Sequence, residues 1–214
     1  MGTDNDKTPG LDRAYALETP DDTLRLYAAW AETYDTDFVD GTGFRFPGLV
    51  AKAFLANGGS GPCLDVGCGT GAVADHLPGN VIVDGLDLSP EMLAVAERKN
   101  RYRTLIEANL MKPLPLPHAA YNGLLCSGTF THGHVGGAAL IELTRILRPG
   151  ALAVISVRTD IWDSMGFAKT LSDLVKKGAI TPPNSTKELI YSNAERAPKG
   201  HANDTAFLTT YQRL

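Results

Sequence analysis

From residue 61 onward the sequence alternates short apolar runs with amphipathic stretches of helical length, and few folds accept that rhythm. Strands are expected at 62–66, 81–87, 102–107, 121–126 and 151–157, with helices at about 71–77, 90–99 and 137–147 between them. A helix between successive strands makes those strands parallel and buries both faces of their sheet. Ser89 and Pro90 supply a cap and a first-turn proline for the second helix, while Arg148, Pro149 and Gly150 end the third. After Val157 the rhythm changes. A helix around 162–177 leads to strand-like segments at 187–193 and 205–212, joined through Pro198, Lys199 and Gly200 with no helix between them. Such a pair closes a sheet as an antiparallel hairpin.

The expected fold class is therefore α/β: a Rossmann-like doubly wound sheet of seven mostly parallel strands, with a C-terminal antiparallel hairpin and helices on both faces. At 214 residues, 43% of them hydrophobic, the chain has the size and apolar content of one domain. Residues 1–18 are polar and expected to be flexible, 19–60 to form a helical cap, and 61–214 to form the core. Thr19, Pro20, Asp21 and Asp22 read as a helix start, followed by an aromatic stripe of Leu24, Tyr27, Ala31 and Tyr34 that ends near Asp35. A second helix spans about 47–56 and stops at Asn57, Gly58 and Gly59.

Apolar runs such as Ala151 to Val157 are far shorter than a bilayer crossing, and Met1 to Asp6 is acidic without an apolar core. The expectation is a cytoplasmic protein without a membrane partner. Three cysteines, Cys63, Cys68 and Cys126, make an odd set that argues against a disulfide framework, and the Cys63/Cys68 spacing is loose for zinc. Residues 1–40 carry ten acids and three bases, leaving fourteen acids and seventeen bases beyond. Nucleic acid is not the expected partner of so mild a balance. The basic run Arg98, Lys99, Arg101 and Arg103 suits a helix C-terminus, with polyanion contact as the alternative.

Chemistry concentrates at Cys63, Leu64, Asp65, Val66, Gly67, Cys68, Gly69, Thr70 and Gly71, an apolar strand breaking into a glycine-rich turn. Glycines at 67, 69 and 71 let backbone approach a ligand, and the N–H groups of the next helix would face the same crevice. Asp87, twenty residues after Gly67 at the end of the next strand, can accept both hydroxyls of a ribose. Together they imply a nucleoside-bearing cofactor. Gly67, Gly69 and Ala72 also satisfy a relaxed dinucleotide fingerprint, so an NAD(P)-dependent oxidoreductase stays open on spacing alone. S-adenosylmethionine is favoured because the motif lies behind two helices, because Asp65 would repel a pyrophosphate while suiting an ammonium, and because a hairpin replaces a second mononucleotide half.

At these residues the sequence resembles the class I S-adenosylmethionine-dependent methyltransferases, from about residue 24 to the end. Their first motif is similar to Asp65–Gly71, including Cys68 between the glycines, and their second-strand motif to Gly85–Leu93. The resemblance implies that Asp87 holds the ribose and that Leu88 and Met92 pack on adenine. Asn109 and Leu110 stand where the family usually carries Asp-Leu near the adenine amino group; an amide oxygen accepts that bond more weakly than a carboxylate. Ser127 joins the cofactor side. Tyr27, Trp30, Ala31, Glu32, Tyr34 and Asp35, with Gly128–Val135, resemble the methyltransferase-like proteins named for the Williams-Beuren region.

Tyr27 and Tyr34 are then candidates to fold over the cofactor, where aromatic faces attract a sulfonium, although core packing alone would also explain the stripe. Gly128–Val135 follows the fourth strand, where open sheets bind ligands. A small-molecule acceptor is expected there, against Tyr34, Thr129, His132, Arg158 and Trp162. His132 and His134 are candidates for a general base, or for helix capping and loop filling, and as an H-x-H pair they lack further metal ligands. No metal is expected. A non-catalytic S-adenosylmethionine-binding partner or sensor remains the alternative from another functional class.

Overall fold

The computed structural model describes residues 26–131 and 135–214. They form a seven-stranded sheet of order β3-β2-β1-β4-β5-β7-β6. The strands are β1 (Cys63–Val66), β2 (Val83–Asp87), β3 (Leu105–Glu107), β4 (Tyr121–Phe130), β5 (Leu147–Arg158), β6 (Asn184–Leu189) and β7 (Thr205–Gln212). β1 to β5 pair in parallel, and β7 runs antiparallel to both β5 and β6. The order reverses at β1, between β2 and β4, which opens a crevice at the carboxyl ends of those strands.

Strand alternation sends side chains to two separate cores. Leu124, Cys126, Ala153, Ile155 and Val157 pack under α3 (Ala139–Ile146) and α4 (Phe167–Lys176). Leu125, Leu152 and Val154 face the other way, against Val50, Ala51 and Phe54 of α1 (Phe46–Ala56). Gly123 is needed here because a Cβ would lie 2.4 Å from the Phe54 ring. α2 (Pro90–Arg98) starts as its sequence requires, with Ser89 Oγ accepting from Met92 N at 3.3 Å and Pro90 in the first turn.

Several boundaries depart from the sequence reading. No α-helix forms over 71–77: the chain makes turns and a 3-10 segment, Ala74–His76, because Gly69 and Gly71 hold positive φ and Pro78 follows at once. The N-terminal stripe does not stop at Asp35 but widens into a π-helical turn, Asp35–Asp40, that adds buried Phe38 to the row of rings. β4 runs on to Phe130 through an irregularity after Cys126, where Gly128 takes φ +75 and Phe130 pairs with Val157. β6 lies at Asn184–Leu189 rather than 187–193, since an exposed edge strand needs no apolar residues and its pairing with β7 sets the register. Among the described residues no helix is long and apolar enough to cross a membrane. The expectations for residues 1–25 concern a stretch outside the described residues.

The basic run is absorbed by the fold. Arg98 meets Glu32, Lys99 meets Asp35 and Asp75, Arg101 donates to the carbonyls of Ala74 and Leu77, and Arg103 forks onto buried Asp84.

Candidate active site

A cavity of about 190 Å3 occupies the switch-point crevice, walled by the glycine-rich turn, the ends of β2 and β4, and the N-terminal rings. The three glycines of the turn serve different ends. A Cβ on Gly67 would lie 2.0 Å from Thr129 Oγ1, so this residue lets β1 and β4 close on each other. A Cβ on Gly71 would meet the Tyr102 ring at 3.0 Å. Only Gly69, at φ +52, both lines the cavity and has no atom within 4 Å of an added Cβ. Backbone at this one position is bared to a ligand.

Asp87 closes β2 and ties the turn down: Oδ2 accepts from Gly69 N at 2.8 Å and Oδ1 from Ser89 N at 2.9 Å. Burial pushes its carboxyl above the ordinary range, and the bonds from Ser89, Gly69 and Leu88 N–H groups pull back against it. Its carboxylate still lines the cavity, with lone-pair capacity beyond what these N–H groups use. Asp65 is fully buried behind the turn and does not line the cavity. Its Oδ2 accepts from Tyr102 Oη at 2.7 Å, while Oδ1 has no hydrogen-bond partner among the described residues. Desolvation lifts this carboxyl to about 7, opposed by the Tyr102 bond and assisted by Asp87. Cys68 lines the cavity as a buried thiol held well above its usual pKa by desolvation.

One end of the cavity is apolar, made by Leu88, Met92 and Leu110. Asn109 stands there too, but its Oδ1 already accepts from Met111 N at 2.8 Å, which fixes the amide in a local turn. Toward β4 the wall is Ser127, Gly128 and Thr129, where Ser127 Oγ is buried with no partner among the described residues. Tyr27 and Tyr34 cover the cavity, and desolvation holds the Tyr34 hydroxyl neutral. This cover is fastened by Thr70 Oγ1 donating to Asp35 Oδ1 at 2.5 Å and by Lys99 bridging Asp35 and Asp75 at 2.7 Å each.

An open backbone turn, an acid at the end of β2, an apolar slot and an orphaned hydroxyl form a set that fits an amino-acid-bearing nucleoside. Residues 64–155 match the family model described as a methyltransferase domain. Over that stretch, less than half of its length, the chain is similar to methyltransferase domains. Methyltransferase-like protein 27 of Homo sapiens is 36% identical over 145 residues, which is 64% of this chain and 58% of that protein. The demethylmenaquinone methyltransferase of Thermus thermophilus is 36% identical over 100 residues, 43% of this chain and 44% of that one. The chain thus spans less than two thirds of the length of these relatives. A Thermotoga maritima S-adenosylmethionine-dependent methyltransferase has the same fold, with TM-score 0.59 and 17% identity over 89% of this chain and 98% of that one.

The cavity gathers Tyr27, Tyr34, Gly67, Cys68, Gly69, Asp87, Leu88, Met92, Asn109, Leu110, Ser127 and Thr129 from the sequence-derived candidates. Asp65 and Gly71 support the turn from behind. Arg158 lines a smaller adjoining chamber, whereas Trp162 lines neither and packs on Phe207 at 4.8 Å. His132 and His134 lie outside the described residues. Sequence reasoning missed Tyr102 and Phe44, and it did not pair Thr70 with Asp35. The Thr70–Asp35 and Tyr102–Asp65 hydrogen bonds join residues 35 and 37 apart, so no local pattern announces them.

Proposed function

We propose that this protein is an S-adenosylmethionine-dependent methyltransferase that acts on a small-molecule acceptor. The observation that carries the reading is Gly69, bared to the cavity beside the Asp87 carboxylate at the switch point of the sheet. When bound, S-adenosylmethionine supplies a methyl group on a sulfonium whose departure as a neutral thioether needs no acid.

The residues of the chain then have four duties. Asp87 accepts the ribose hydroxyls, Leu88, Met92 and Leu110 receive the base, and Asn109 flanks it. The Gly69 carbonyl and Ser127 Oγ offer polar contacts to the amino-acid end, with Asp65 and Tyr102 holding the turn that presents them. Tyr27 and Tyr34 form a cap over the cavity that excludes water, and alignment of that kind can contribute roughly 7–11 kcal/mol to a transfer step. His132 and His134, next to Thr131 in sequence, are the groups assigned to take a proton from an acceptor that carries one.

Titration calorimetry with S-adenosylmethionine, S-adenosylhomocysteine and NADH tests this assignment. The expected result is binding of the two sulfur nucleosides and none of NADH. Binding of NADH alone would return the chain to the dinucleotide reading.

A further inference from the structure

Beyond the main cavity lies a second chamber of about 50 Å3 that shares Tyr27, Tyr34, Phe44, Gly128 and Thr131 with it but none of the Asp87, Leu88, Met92 and Asn109 group. It therefore opens from the β4 end, away from the ribose and base positions. We propose that this chamber receives the reacting end of the acceptor and selects a slim, uncharged oxygen or sulfur group, an alcohol or thiol, over amines, carboxylates and rings. This rests on the cofactor occupying the main cavity as assigned above.

Size gives the first limit. A protein cavity of roughly 150 Å3 takes up benzene, and this chamber has about a third of that volume. Its walls do not yield singly, because Phe46 and Phe130 are 1% exposed and the lining rings pack on others, with Phe38 on Phe44 at 5.1 Å and Phe130 on Phe167 at 5.1 Å. A group of a few heavy atoms fits where a ring does not.

Charge gives the second. Among the described lining residues the only ionised side chain is Arg158, 7% exposed. Asp160 meets its Nε and Nη2 at 3.1 and 2.8 Å, and Asp204 meets Nη1 at 2.9 Å. A cationic amine entering the chamber would face the guanidinium with no carboxylate on the described wall to receive it. Among the described residues two carboxylates already flank Arg158, so an anionic acceptor would add a third negative charge there. What remains is a neutral group with a lone pair, among the hydroxyls of Ser156, Thr131 and Tyr34. In the transfer, that lone pair forms the bond to the methyl carbon as the carbon–sulfur bond breaks. The electron pair of the broken bond stays on sulfur, and the acceptor proton goes to the base named for it above.

The test uses probes matched in size and differing in charge: 1-propanol, 1-propanethiol, propylamine and propionate, with benzyl alcohol as the larger probe. Saturation-transfer NMR on the full chain, with and without S-adenosylhomocysteine, reads each affinity. Propanol and propanethiol should bind at least tenfold more tightly than the other three. Ala206→Leu, which fills the chamber without lining the main cavity, should abolish their binding and leave S-adenosylhomocysteine affinity unchanged. Phe38→Ala, which widens the chamber, should admit benzyl alcohol. Tighter binding of propylamine or propionate, or equal propanol binding by Ala206→Leu, would overturn the proposal. Failure of the wild type to bind S-adenosylhomocysteine would instead strike the cofactor assignment, and the probe ranking without nucleoside still decides the chamber.

Discussion

Replacing Asp65 with Asn should change how stability depends on pH. Asp65 is 0% exposed, has one oxygen without a partner, and carries a carboxyl lifted to about 7. An unfolded aspartate titrates near ~3.9, so between the two values the native state holds a proton that the unfolded chain has released. The stability this provides is complete below about pH 4 and is lost as pH rises through about 7. Three units at ~1.4 kcal/mol each make a total of about 4 kcal/mol, a large share of a typical folding free energy. Asn keeps an acceptor for Tyr102 Oη but cannot ionise. Urea unfolding of both proteins should therefore show the Asn variant gaining on the wild type by about 2.5 kcal/mol between pH 5 and pH 8. Any cost from the new amide hydrogens is independent of pH and drops out of that difference. Curves that stay parallel across the range would mean that Asp65 is ionised throughout, and the account of a desolvated carboxyl behind the turn would be wrong.

Other outcomes follow from the same contacts. Asp87→Asn should weaken S-adenosylmethionine binding by about 1–3 kcal/mol in calorimetry, because it removes a charged acceptor; unchanged affinity would put the ribose elsewhere. Gly67→Ala sets a Cβ 2.0 Å from Thr129 Oγ1 at φ +64, which should cost about 2–4 kcal/mol and lower Tm by roughly 4–16 °C. A melting curve matching wild type would contradict the close approach of β1 and β4. Asp35→Asn should loosen the cover by about 1 kcal/mol, seen as ~5-fold faster amide exchange over residues 26–42 with the sheet unaffected. Equal protection would show that the Thr70 and Lys99 contacts do not fasten it.

The parts of this fold that could be read from the sequence are those fixed by local pattern. The run from Cys63 to Gly71, the β2 acid Asp87 and the Ser89-Pro90 helix start each depend on neighbours within a few residues. What the pattern missed depends on distant pairing or on the absence of an apolar signal. Apolar residues at 189–191 drew the sixth strand toward the C-terminus, whereas the observed β6, Asn184–Leu189, is mostly exposed and takes its register from β7. Val73, Ala74 and Leu77 have helical spacing, yet the glycines before them and Pro78 after them leave room only for a 3-10 turn. The crevice therefore presents the backbone of a turn rather than a helix N-terminus. In the same way Asp65 could be recognised as part of a motif, but its burial behind Tyr102 appears only once residues 37 apart meet.

Everything functional depends on the bared backbone at Gly69. The direct measurement is calorimetric titration of wild type and Gly69→Val with S-adenosylmethionine, each checked for an intact sheet by far-ultraviolet circular dichroism. The account predicts saturable one-to-one binding by the wild type and none by the folded variant, because the added side chain fills the approach to the turn. Equal binding by both proteins would contradict it.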